Sequence, residues 1–167
     1  TNAETSFTRP ADTTAYASGD LVGNSTTNTA VAPMAFPVSK LAAGGGAIMI
    51  RRARIVKSTG SLTNAQFRLH LYATSNGITN QGVSVVAGDN GAYTASKVSA
   101  YLGFMSVTMQ VSHGDGAGGW AGPNEGMEMN LVLPAAHYTI QGLLEARAAY
   151  TPGNAERFNV TLEVYQN

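Results

Sequence analysis

The sequence predicts an all-β chain: a two-sheet antiparallel β-sandwich, jelly-roll-like, with an extended N-terminal arm. Three observations lead there. From Ala47 onward, apolar and polar residues alternate with a period of two in segment after segment, the pattern of strands that bury one face. Gly, Pro and Asn turns separate these segments at short intervals. Helical periodicity is weak and confined to Ala95–Tyr101, where a turn or two of helix would end at Gly103. Short strands of this kind close a core by stacking two sheets whose inward side chains fill the layer between them.

Residues 1–46 read as the arm and 47–167 as the sandwich domain. The arm is rich in Thr, Ala, Asn and Gly and carries Pro10, Pro33 and Pro37. Its β-formers gather at Thr5–Thr8, Leu21-Val22 and Val31–Val38, so short strands are expected there and the remainder should wrap over the sheets. An arm that orders on binding loses about 1–2 kcal/mol of backbone entropy per fixed residue and needs apolar anchors. Phe7, Tyr16, Met34 and Phe36 are the candidates.

In the sandwich domain, the strand from Ile48 is expected to place Ile48, Ile50 and Val56 on one side and Met49, Arg51 and Ile55 on the other. Phe67, Leu69 and Leu71 share a face opposite Gln66, Arg68 and His70. Met105, Val107, Met109 and Val111 follow the same rule, as do Met127, Met129, Leu131 and Leu133. Near the end, Phe158, Val160, Leu162 and Val164 alternate with polar partners, and this strand is expected to form a hairpin with Tyr138–Tyr150 across Thr151–Asn154.

Composition narrows the function. Only 12% of the 167 residues are charged and the net charge is zero, so no long-range field would draw the chain to nucleic acid or to anionic lipid. No apolar run approaches the roughly 18 residues of a membrane helix, and Thr1-Asn2-Ala3-Glu4 lacks the plan of a secretory signal, which leads to the expectation of a soluble protein made in the cytoplasm. The absence of cysteine removes disulfides, thiolate zinc sites and a Cys nucleophile.

The remaining motifs read as non-enzymatic. Gly114-x-Gly116-x-x-Gly119 matches a dinucleotide fingerprint as a string, but turn residues follow it where that motif needs a helix. Ser112–Gly126 is expected to be a long surface loop displaying Trp120, either as a lid on the core or as an exposed contact anchor. His70, His113 and His137 are scattered and read as solvated. Asp20, Asp89, Asp115 and Glu125 sit in turns, where carboxylates accept amide hydrogen bonds more often than they hold calcium. Glu125 with Glu128 is the nearest pair to a glycosidase dyad, at a strand start where a cleft is doubtful. No catalytic residue, metal or cofactor is expected. Arg51, Arg52 and Arg54 with Lys57 form the basic cluster, Arg52 and Arg54 on one face and Arg51 with Lys57 on the other, and read as a partner interface.

Several strings carry a resemblance. Thr8 to Gly23, Leu69-His70-Leu71-Tyr72, Asp89-Asn90-Gly91-Ala92-Tyr93 and the ending from Ala148-Ala149-Tyr150-Thr151-Pro152 to Val164 together resemble small structural proteins of tailed bacteriophages. The resemblance implies a capsid decoration or cement protein: a homotrimer on the virion surface, made in the host bacterial cytoplasm, with the major capsid protein as partner. It brings no catalytic residues. The rival class is a carbohydrate-binding β-sandwich module of a phage adhesion or fibre-associated, lectin-like kind, in which Trp120, Tyr93 and Tyr101 would stack on sugar.

Overall fold

The computed structural model describes residues 2–38, 46–74, 83, 85–96, 100–122, 129–133 and 139–166. Its strands are β1 (Asn2–Thr8), β2 (Leu21–Val22), β3 (Met34–Pro37), β4 (Gly46–Lys57), β5 (Gln66–Thr74), β6 (Tyr101–Thr108), β7 (Val111–His113), β8 (Gly116–Ala121), β9 (Met129–Leu133), β10 (Thr139–Ala146) and β11 (Arg157–Gln166). They make two antiparallel sheets. The first runs β1-β11-β4-β8-β7 with β9 also on β4; the second runs β2-β10-β5-β6 with β3 also on β10. The chain is thus a β-sandwich, and no described helix is long and apolar enough to cross a membrane.

Between the layers lie the alternating residues. Phe67, Leu69 and Leu71 of β5 and Met105 and Val107 of β6 meet Phe158, Val160, Leu162 and Val164 of β11, all buried. Phe67 stands edge-on to Phe158 at 5.4 Å and to Tyr150 at 5.3 Å, the T-shaped geometry that aromatic quadrupoles favour.

One strand breaks its own alternation. Glu163 pairs with Arg52 but the next residue, Val164, pairs with Ile50, so the register skips Arg51 and a β-bulge forms there. On its other edge β4 pairs β9 up to Ile50 and β8 from Ala53, so the bulge falls where the neighbour changes. The extra residue inverts the pleat. Ile48, Ile50, Ala53, Ile55 and Lys57 face inward, while Arg51, Arg52 and Arg54 all face solvent. The expected grouping of Val56 with Ile50, and of Arg51 with Lys57, therefore does not hold.

The strands expected in residues 1–46 are present, but their anchors face the chain's own core. β1 pairs β11 along Asn2–Thr8, and β2 and β3 pair β10. Tyr16, Met34 and Phe36 are buried, and half-buried Phe7 stacks on Phe158 at 5.3 Å. Apolar side chains read as anchors for a neighbour are thus already occupied. Two buried ion pairs tie the crossings down. The Arg9 guanidinium donates to Asp89 at 2.8 Å beneath Tyr16, whose hydroxyl donates to the same carboxylate at 2.6 Å. Lys57 donates to Glu156 at 3.2 Å and to the Thr59 carbonyl at 2.8 Å, and the Tyr150 hydroxyl donates to Glu156 at 2.5 Å.

The expected closing hairpin is replaced by a crossover. β10 lies in the second sheet and β11 in the first, because the turn after Ala149 carries Tyr150 across the end of the core to stack on Tyr16. His137, Glu125, Glu128 and Met127 lie outside the described residues, as do residues 97–99 of the expected helical turn.

A chain beginning at Asn24 should lose its cooperative thermal transition, because it lacks β1, β2, Arg9 and the Tyr16 ring; Tyr16→Ala alone should cost about 3–5 kcal/mol in denaturant unfolding. A truncated chain that melts like the full one would show that this segment is an appendage.

Candidate docking site

Trp120 lies on strand β8 rather than on a loop, and glycine is the reason. A Cβ at Gly116 would come within 2.5 Å of the Lys57 carbonyl and one at Gly119 within 2.3 Å of the Thr108 carbonyl. The glycine string is therefore a packing device that lets β8 lie close to β4 and to the β6 end. Pairing with β4 sets Trp120 directly opposite Arg54, and Arg54 in turn lies opposite Thr161 of β11.

The outcome is a ridge on the outer face of the first sheet. Arg54 and Trp120 stand between two hollows, one of about 320 Å³ bounded further by Asn2, Arg52, Thr161 and Glu163, the other of about 260 Å³ reaching Val111, His113 and Asp115. Trp120 is 45% exposed, Tyr165 46% and Val111 38%, three of the five large hydrophobic residues most exposed among those described. Arg52 binds Glu163 at 2.8 Å, an exposed pair contributing about 0–1 kcal/mol. Arg51 donates to the Tyr165 hydroxyl at 3.2 Å and lies 5.2 Å over its ring. The Arg54 side chain makes no ion pair or hydrogen bond among the described residues.

Of the sequence candidates, Arg51, Arg52, Arg54 and Trp120 are brought together here. Phe7, Tyr16, Met34 and Phe36 are not, being in or against the core. No family model matches the chain, nor does any curated protein. A solved structure of the cleaved adhesin domain of Lys-gingipain from Porphyromonas gingivalis aligns over 100% of this chain and 98% of that one, at 11% identity and a TM-score of 0.30. Among the described residues no cluster of His, Asp and Glu is placed to hold a metal ion.

The opposite outer face is partly covered. Segment 83–96 crosses part of the second sheet, where Val83 and Val85 pack with Leu21, Val31, Tyr72 and Leu143 in a second small core. Backbone bonds fasten it, among them Leu21 N–H to the Gly91 carbonyl at 2.8 Å and Asp89 N–H to the Ser25 carbonyl at 2.6 Å. This cover overturns one expectation: His70 is buried, not solvated, and lies 2.9 Å from Glu145 through Nε2.

Burial lowers the His70 pKa below its ordinary 6.5, an effect that the Glu145 hydrogen bond only partly offsets. Burial also works against the Glu145 carboxylate, but hydrogen bonds from His70 and Arg147 outweigh it and hold its pKa below the ordinary 4.5. Both groups then bind fewer protons folded than unfolded, so stability is lost as the pH falls: through the window below 6.5 for His70, and below 4.5 for Glu145. Thermal melts should show Tm declining from pH 7 toward pH 4, with the upper part of the decline flattened in His70→Gln. A Tm that rises on acidification would contradict this pairing.

Proposed function

We propose that the chain is a structural binding module, a capsid decoration protein that clamps the major capsid protein through the outer face of its first sheet. The observation that carries this reading is the asymmetry of the two outer faces: residues 83 and 85–96 cover part of the second sheet, while the first presents Trp120, Tyr165 and an Arg54 side chain that has no ion pair among the described residues. Trp, Tyr and Arg are the residue types that dominate interface energetics, and here they project from strands rather than from loops that would need ordering. Docking would seat an apolar group beside the indole and a carboxylate on Arg54.

The phage resemblance supplies the identity of the partner and the homotrimeric state on the virion surface. Trimeric attachment raises effective concentration, so that patches of the standard roughly 800 Å² need only modest affinity each. The carbohydrate module loses support as first read, because its three aromatics divide: Trp120 lies on the first sheet, Tyr93 and Tyr101 on the outside of the second.

Cosedimentation with shells assembled from the major capsid protein of the same phage tests the proposal. Trp120→Ala and Arg54→Glu should each weaken binding by about 30-fold or more, the effect of losing a hot-spot side chain, without lowering Tm. Wild-type affinity in both variants would remove this face from consideration.

A further inference from the structure

The covered side of the second sheet holds a small cleft that the docking proposal does not use. Its volume is about 210 Å³, and it is lined by His70 and Tyr72 of β5, Tyr101 of β6, and Tyr93, Ala95 and Ser96 of the crossing segment. The rings are set at fixed angles: His70 stacks on Tyr93 at 4.3 Å, and Tyr72 lies 5.2 Å from Tyr101, tilted by 55°. We infer that this cleft binds one neutral, hydroxyl-bearing six-membered ring, a single sugar residue of a glycan.

Size comes first. A cavity of about 150 Å³ holds a benzene-sized molecule, so a hollow of this volume has room for one ring. The hydrogen bonds then define what the ring must carry. His70 Nε2–H donates to Glu145, which leaves Nδ1 to accept from the Tyr101 hydroxyl at 3.0 Å. The Tyr101 oxygen keeps its own lone pairs. Tyr72 and Tyr93 are hydrogen-bonded hydroxyl to hydroxyl, so whichever accepts still has a hydrogen to donate. The rim therefore offers a donor and an acceptor, the complement of an alcohol, while the ring faces suit the C–H side of a sugar. A plain aromatic ring would cover those hydroxyls without satisfying them, at a cost in binding.

Charge narrows the class further. Glu145 behind the cleft is compensated by Arg147 at 2.8 Å and by Arg68 at 3.8 Å, so it offers no net field to attract a cation. A carboxylate ligand would face the electron-rich ring faces. Burial raises the pKa of all three tyrosines, that of Tyr101 to about 12, which keeps the hydroxyls protonated over the working pH range.

The test uses the full chain on a glycan array, followed by saturation-transfer NMR with methyl glucoside, methyl galactoside and N-acetylglucosamine, and with tetramethylammonium and phenol as cationic and aromatic probes. Sugar binding is expected, at least tenfold weaker in Tyr101→Ala, about two- to tenfold weaker in Tyr101→Phe, which keeps the ring and guards against misfolding, and unchanged in Trp120→Ala. The inference is overturned if no sugar binds, if tetramethylammonium or phenol binds instead, if both Tyr101 variants bind like the wild type, or if Trp120→Ala abolishes the signal.

Discussion

The β-bulge at Arg51 in β4 is the constraint on which the rest depends. Side chains of a strand alternate strictly, so one inserted residue moves everything beyond it to the opposite face. Without the bulge, Ile48 and Ile50 could not enter the core together with Ala53, Ile55 and Lys57. With it, Lys57 reaches the buried carboxylate of Glu156, and Arg52 and Arg54 emerge beside Trp120. One backbone irregularity thus serves the core and the candidate interface at once.

The buried charges act at the crossings. Arg9 with Asp89 and Lys57 with Glu156 each join segments far apart in sequence, where strands end and the chain passes between layers. Such pairs add little net stability over an apolar replacement, yet removing one partner strands the other at about 3–5 kcal/mol. They therefore specify which crossing forms.

The fold class was legible because period-two alternation is a local property: Phe67, Leu69 and Leu71, or Phe158 to Val164, need only a two-sided sheet to be read correctly. What escaped was set by distant partners. The bulge at Arg51 has no glycine to mark it. Polar-face His70 became buried because segment 83–96 lies over it, and β10 parted from β11 because each found a better neighbour elsewhere. In the site, Arg52, Arg54 and Trp120 were legible as residues, but their meeting was not, since Trp120 was placed on a loop. The signal was present in Gly116 and Gly119, the residue type that lets a strand press against other backbone.

Trp120 is the only tryptophan in the chain, so its fluorescence reports the ridge without labels. The decisive measurement is its emission in the free protein and on assembled capsid shells. An exposed indole that becomes buried on docking should shift to the blue and lose its quenching by iodide, in step with bound fraction. Full binding with unchanged emission and unchanged quenching would mean that another face makes the contact.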